Sequence, residues 1–334
     1  MKLLIFSAKP YDREYFDIAN KKFHFDIQYL EVPVNYKTAW LAKGYDAICA
    51  FVQDDVCHST IDILAEMGVK YIAMRCAGTN NVCIEQAIEK NLKVVSVPKY
   101  SPYAVAEHTV ALMLTLNRKI HRAYARVREG NLSLEGLLGF DMHKKTVGII
   151  GTGKIGLAVG RILQGFGCKL LGYDDYPNKV FAEEIHMEYT DLSTLLTKAD
   201  IITLHCPLTK SSKHLIDKKI IDQMKKGVML INTSRGAVVD TEAVIEGLKS
   251  EKIGSLGLDV YEEETNLFYE DLSNRIIQDD IFARLLTLPN VVITSHQGFF
   301  TKEALIAITT TTLQNLKDLE ENKFCENERL KNGT

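Results

Sequence analysis

The chain has 334 residues, 46% of them hydrophobic and 25% charged, with a formal net charge of −3. That is long enough for two cores and too evenly composed for a disordered or fibrous protein. The near balance of charge offers no positive field for a phosphate backbone or an anionic membrane surface, which argues against nucleic acid as a partner and for small-molecule chemistry.

Lys2 before the short run Leu3 to Phe6 is too brief for a signal peptide. No stretch approaches the ~20 apolar residues of a membrane span, so a cytoplasmic protein without a membrane partner is expected. Cys49, Cys57, Cys76, Cys83, Cys168, Cys206 and Cys325 form an odd set with no C-x-x-C pair. Neither a metal site nor a disulfide framework is expected, and most of these thiols read as small buried apolar residues.

In chain order, strands are predicted at Lys2 to Phe6, Asp26 to Leu30, Ala47 to Cys49, Tyr71 to Met74 and Lys93 to Ser96. Helix-length segments separate them, the pattern of a parallel sheet covered on both faces. A long helix follows, with Ser101 as N-cap, Pro102 at its first position and Gly130 past its end. Val105, Leu112, Met113, Leu116, Ile120 and Tyr124 recur at helical spacing and predict one buried stripe. Further strands are predicted at Thr146 to Ile150, Lys169 to Tyr173, Ile201 to Leu204, Val228 to Asn232, Ser255 to Asp259 and Val291 to Thr294. A helix from about Thr301 to Glu321 and a loosely held polar tail from Glu326 to Thr334 close the chain.

The strand ending at Ile150 runs into Gly151-Thr152-Gly153-Lys154-Ile155-Gly156 and leaves as a helix. In this dinucleotide fingerprint Gly151 makes the tight turn, Gly153 admits a pyrophosphate close to the backbone, and Gly156 allows close helix packing. Asp174, at the end of the next strand, is placed to bond ribose hydroxyls and to repel the extra phosphate of NADP, so NAD is the expected cofactor.

Three later strands end in polar segments: Asn232-Thr233-Ser234-Arg235-Gly236, Asp259 to Glu264, and Ser295-His296-Gln297-Gly298-Phe299. Singly, Arg235 reads as a surface ion-pair partner, Glu264 as one charge in an acidic run and His296 as a core histidine. Together they supply what reduction of a 2-keto acid requires. A guanidinium holds the carboxylate, an imidazole serves as general acid/base, and a glutamate orients the imidazole and favours its protonated form.

The fingerprint, Thr233 to Gly236, Gly257-Leu258-Asp259-Val260-Tyr261-Glu262 and the late His296 resemble the D-2-hydroxyacid dehydrogenase family. Arg75 to Val82, Val97 to Pro102 and Ala106-Glu107-His108 are similar to its D-lactate dehydrogenase branch. The resemblance implies an α/β fold of two domains, with a Rossmann NAD-binding domain (101–297) inserted into a flavodoxin-like substrate domain (1–100 and 298–334) and a cleft between them. It implies NADH-dependent reduction of pyruvate to D-lactate. Ala77 and Gly78 would meet the substrate carboxylate, while Tyr100 and Phe299 bound a small pocket. Lys154, Ile155, Cys206, Pro207, Thr233, Ser234 and Asp259 would join Asp174 at the cofactor. A homo-oligomer, dimer or dimer of dimers, is also implied, with the helix from Ser101 as candidate interface. Cys206 and Gln297-Gly298 depart from the commoner family residues. A dehydrogenase for a bulkier 2-keto acid and an NADH-sensing binding protein stay open as alternatives.

Overall fold

The computed structural model describes residues 1–264 and 267–329. The chain forms two compact units, one of Met1–Ser101 with the segment from Phe300 onward, the other Pro102–Phe299.

The first unit runs β1 (Lys2–Ile5), α1 (Pro10–Asn20), β2 (Asp26–Tyr29), β3 (Ala47–Ala50), α2 (His58–Glu66), β4 (Tyr71–Met74), α3 (Ile84–Glu89) and β5 (Lys93–Val95). Among the described residues these strands make one parallel sheet in the order β2-β1-β3-β4-β5, the flavodoxin-like order. Its central strands are apolar throughout because helices cover both faces: Leu3, Ile5 and Ala47 to Ala50 are all inaccessible to solvent. The C-terminal helix, Lys302–Glu320, starts at Thr301, whose side chain accepts from the Ala304 N–H. It sends Leu313, Leu316 and Leu319 into the core beside Leu3, Phe16 and Cys49. Each such leucine contributes about 1.5–3 kcal/mol.

The expected loose tail is corrected here. Glu328 pairs with Val95 in an antiparallel bridge, the Arg329 N–H donates to the Val94 carbonyl at 2.8 Å, and Arg329 Nε donates to Ser96 Oγ at 2.8 Å. β5 is an edge strand with open backbone groups, and the segment satisfies them through its own backbone, a demand its polar side chains do not reveal. Residues 330–334 of that tail lie outside the described residues.

The second unit begins with α4 (Pro102–Arg118) and α5 (Ile120–Arg128). Strands and helices then alternate: β6 (Thr146–Ile150), α6 (Lys154–Gly165), β7 (Lys169–Tyr173), α7 (Lys179–Glu184), β8 (Met187–Tyr189), α8 (Leu192–Lys198) and β9 (Ile201–Leu204). They continue through α9 (Lys218–Gln223), β10 (Val228–Asn232), α10 (Thr241–Lys249), β11 (Ile253–Leu258), α11 (Asp280–Leu286) and β12 (Val291–Ile293). The sheet is parallel with order β12-β11-β10-β9-β6-β7-β8. The chain enters at β6, builds outward to β8, then returns to the other side of β6 with β9. The direction of building reverses between β6 and β9, whose loops meet at the carboxyl ends of the strands, the switch point at which an open α/β sheet binds its ligands. One face of the sheet is covered by Ala106, Val110, Met113, Val159 and Leu163, the other by Leu195, Ile221, Val244, Leu248 and Leu285.

The single long helix predicted to end before Gly130 is in fact two. Lys119 breaks it with φ +50°, and Ile120 and Tyr124 of the predicted buried stripe are 57% and 64% exposed. The break has a tertiary cause. The Asn117 amide exchanges two 2.8 Å hydrogen bonds with the Phe140 backbone, and Lys119 Nζ donates to the Gly136 and Leu138 carbonyls at 2.9 and 3.0 Å. The segment 136–140 thus docks on the helix end and turns it. β8 was not predicted, being a three-residue edge strand. Of the seven cysteines, only Cys49, Cys76 and Cys325 are buried.

Candidate active site

The glycine fingerprint sits at the switch point. Gly151 takes φ +89°, and a Cβ there would stand 2.5 Å from the Cys206 N of the β9 loop. A Cβ on Gly156 would lie 2.1 Å from the Gly151 carbonyl oxygen, so the first turn of α6 packs directly on the loop. Gly153, the residue that caps α6, meets nothing within 4 Å on its open side. The result is a bare backbone cradle facing the amino end of a 12-residue helix, whose first N–H groups, including those of Lys154 and Ile155, lack partners within the helix.

Asp174 stands in the next loop, directly after β7. Its Oδ2 accepts from the Thr152 N–H at 2.5 Å and from Thr152 Oγ1 at 3.1 Å, and its Oδ1 accepts from the Tyr176 N–H at 2.8 Å. The carboxylate is fixed at the rim of the cradle. On the adjoining β9 loop, His205 shares a 2.9 Å hydrogen bond between Nε2 and Thr203 Oγ1, and its buried Nδ1 has no partner. Burial holds the imidazole neutral and lowers its pKa to about 3. Cys206 is partly buried, and the Pro207 carbonyl accepts from Ser212 Oγ at 2.6 Å. An open glycine cradle, helix N–H groups, a rim carboxylate and an orphaned buried nitrogen beside the loop fit a dinucleotide.

The loop after β10 is wound around Asn232, which is fully buried. Its Oδ1 accepts from the Ser234 N–H and Oγ at 3.0 and 2.9 Å, and its Nδ2 donates to the Arg235 carbonyl at 2.9 Å. Thr233 is anchored by a 2.8 Å hydrogen bond to Thr109 of α4. Arg235 Nη1 donates to the Ser234 carbonyl at 2.7 Å. Gly236 lies against the next loop so tightly that a Cβ would come within 2.1 Å of the Tyr261 carbonyl, which brings the arginine turn beside the segment carrying Glu264.

Glu264 and His296 meet directly. Glu264 Oε1 stands 2.9 Å from His296 Nδ1, while Oε2 accepts from the Tyr261 N–H at 3.1 Å. The glutamate is thereby aimed from behind, and Nε2 is left as the working nitrogen of the ring. Phe299 is buried with its ring edge-on to the imidazole, centroids 6.5 Å apart.

His296 itself has φ +52°, a left-handed conformation that costs a non-glycine residue on the order of 1–3 kcal/mol. Asp259 supplies the compensation. Its carbonyl accepts from the His296 N–H at 2.7 Å, Oδ1 accepts from Thr294 Oγ1 at 2.6 Å and the Gln297 N–H at 2.8 Å, and Oδ2 accepts from the Gly298 N–H at 2.8 Å. His108 of α4 adds Nε2 contacts of 3.2 Å to Asp259 Oδ1 and 3.0 Å to Thr294 Oγ1. Burial pushes the Asp259 pKa up, but the hydrogen bonds from His108 and Thr294 and the charge of His296 outweigh it and hold the carboxyl below its usual range.

Sequence reasoning placed Asp259 at the cofactor and did not see it as the clamp on the histidine loop. It also missed the contacts of His108, Thr109 and Tyr269, whose hydroxyl donates to the His296 carbonyl at 3.3 Å. His108 and Thr109 lie 186 and 124 residues from their partners, and no local pattern announces such contacts. Ala77, Gly78 and Tyr100 belong to the first unit. Cys76 Sγ donates to the Gly78 carbonyl at 3.1 Å in the loop after β4, and Tyr100 is partly exposed.

Residues 110–298 match the family model for the NAD binding domain of D-isomer specific 2-hydroxyacid dehydrogenases. The chain belongs to that family. It is an NAD-dependent oxidoreductase, with NAD as its cofactor. D-lactate dehydrogenase of Escherichia coli is 54% identical over 328 residues, covering 98% of this chain and 99% of that protein. The pyruvate reductase of Chlamydomonas reinhardtii superposes with a TM-score of 0.93 at 45% identity, covering 98% of both chains. The NAD-complexed D-isomer specific 2-hydroxyacid dehydrogenase of Lactobacillus delbrueckii ssp. bulgaricus does so with a TM-score of 0.81 at 31% identity, covering 98% of this chain and all of that one. Among the described residues, no helix is long and apolar enough to cross a membrane.

Proposed function

We propose that the protein is a D-lactate dehydrogenase that reduces pyruvate to D-lactate reversibly. The observation that carries the reading is the 2.9 Å pair of His296 and Glu264 at the carboxyl ends of a dinucleotide-binding sheet. NADH, when bound, supplies the hydride. Arg235 pairs with the substrate carboxylate through its planar fork and polarises the keto oxygen. His296 gives that oxygen a proton from Nε2 in reduction and takes it back in oxidation. Glu264 orients the ring and balances its charge while it is protonated. Phe299 borders the substrate methyl. To Ala77 and Gly78 we assign backbone contacts to the carboxylate, and to Tyr100 the closing of a pocket sized for a small side chain. These three assignments rest on the family likeness.

In this reading the unit from Pro102 to Phe299 is the NAD-binding domain and the remainder is the substrate domain. Gly151, Gly153, Gly156, Lys154 and Ile155 hold the pyrophosphate, and Asp174 the ribose. Cys206, Pro207, Thr233, Ser234 and Asp259 line the rest of the cofactor site. Following NADH absorbance with pyruvate, then assaying the product with D- and L-specific reagents, tests the assignment. A kcat/KM favouring phenylpyruvate or branched keto acids would replace pyruvate as substrate, and tight NADH binding without turnover of any keto acid would make the protein a sensor.

Asp174→Ala is expected to narrow the kcat/KM preference for NADH over NADPH by about 10-fold, a change of ~1.4 kcal/mol at the ribose. An unaltered ratio would place selectivity elsewhere.

We also assign the protein a cytoplasmic location, in keeping with its free cysteines, and a homo-oligomeric state. Ile120, Tyr124 and Val127 line one face of α5 and are 57%, 64% and 57% exposed, while Leu132, Leu134 and Leu138 beyond it are at least 74% exposed. So much apolar surface on one segment suits burial against a second copy. Tyr124→Glu is expected to shift the mass measured by light scattering to that of the monomer; an unchanged mass would move the interface away from α5.

A further inference from the structure

Two cysteines of the first unit face each other although 26 residues separate them. Val56 and Val82 form an isolated parallel bridge, with the Val56 N–H donating to the Asn81 carbonyl at 3.0 Å and the Cys83 N–H to the Val56 carbonyl at 3.1 Å. Cys57 and Cys83 are the next residues on the two paired segments, and Cys83 Sγ donates to Cys57 Sγ at 3.1 Å. Neighbouring strands run about 4.8 Å apart, inside the Cα separation a disulfide accepts, and an S–S bond of about 2.05 Å needs the sulfurs to close by only ~1 Å. Both residues occupy helix N-cap positions, of α2 and α3, yet neither side chain caps its helix. The thiols face one another instead, and both are partly exposed and so reachable by a small oxidant.

We propose that Cys57 and Cys83 are a redox modification site, forming a reversible disulfide by exchange with a small-molecule disulfide and so setting the mobility of the loop from Cys76 to Cys83. One cysteine sulfur attacks the oxidant, whose S–S bond breaks and releases a thiol. The second cysteine then displaces the other half as a second thiol. The two cysteines lose two protons and two electrons in all, and a reducing dithiol reverses the sequence. Burial and the neighbouring Cys83 sulfur push the Cys57 thiol up to about 12, so its exchange quickens as pH rises.

Besides Cys83 at its end, the loop is bonded to the segment that leads into Cys57 and is held within itself. Asn81 Nδ2 donates to the Phe51 and Asp54 carbonyls at 2.9 and 2.7 Å, and Cys76 Sγ holds the Gly78 carbonyl. That bond formation alters keto-acid affinity rests on the assignment of Ala77 and Gly78 to the substrate carboxylate. A loop tied at Cys83 adjusts less to the ligand, and KM for pyruvate is expected to rise about 3-fold with KM for NADH unchanged.

The test incubates the full-length protein with oxidised glutathione at pH 8.5, then maps its peptides and measures Tm and both KM values. Expected are a Cys57–Cys83 cross-linked peptide, a Tm raised by about 5 °C and reversed by dithiothreitol, and the pyruvate KM shift, all absent in Cys57→Ser, which keeps the activity of the reduced protein. Cys57 and Cys83 recovered as free thiols or as separate glutathione adducts would overturn the site. A cross-link that leaves the pyruvate KM unmoved would overturn the loop coupling. Pyruvate turnover by the reduced protein is measured first; its absence would refute the proposed function, while mapping and Tm still decide the disulfide.

Discussion

His296→Gln is expected to lower kcat for pyruvate reduction by about 10²- to 10⁴-fold while NADH affinity, read by fluorescence titration, stays as it is. The imidazole is the proton donor in the proposed mechanism, and a neutral amide cannot replace it. The separation of effects follows from position. His296 stands after β12, whereas the glycine cradle joins β6 to α6 and is held by its own contacts with the β9 loop. Glutamine can still donate its backbone N–H to the Asp259 carbonyl, since Asp259 grips the residue through its main chain and not through its ring. Unchanged turnover would remove His296 from the mechanism. A parallel loss of NADH binding would instead mean that the left-handed turn at position 296 had collapsed, and thermal unfolding would reveal that independently.

Arg235→Gln is expected to reduce kcat/KM for pyruvate by about 10²- to 10³-fold, the cost of leaving a carboxylate without its charged partner. Arg235→Lys should recover only part of the loss, because an ammonium lacks the two-pronged plane that fits a carboxylate. The turn that carries Arg235 is shaped by Asn232 and by the close seat of Gly236 on Tyr261, neither of which depends on the guanidinium. Both variants should therefore keep their fold and their NADH affinity. If the glutamine variant matches the parent in kcat/KM, the substrate carboxylate is held elsewhere.

Much of the site was legible because its signals are local. A strand running into Gly151-Thr152-Gly153 and out through a helix specifies a turn that only glycine tolerates, and the positive φ of Gly151 with the crowding at Gly156 is the physical content of that spacing. Polar residues just after apolar strands marked the loops of Arg235, Glu264 and His296, since an open parallel sheet offers its ligands the carboxyl ends of its strands. The helix at Lys119 misled for the opposite reason. Apolar spacing continues through Ile120 and Tyr124, but periodicity reports a face and not what covers it, and a bond from Asn117 to Phe140 ends the helix where propensity would have continued it.

The sequence by itself determined the alternation of strands and helices and the cofactor class, because backbone sterics and the polarity of strand ends act over a few neighbouring residues. Only the tertiary structure decided that Asp259 and His108 clamp the turn bearing His296, that Glu264 is aimed at that imidazole by the Tyr261 N–H, and that Cys57 faces Cys83. Apart from that local N–H bond, those contacts join segments 26 to 186 residues apart, and strand order, not the pattern of neighbouring residues, brings such segments together.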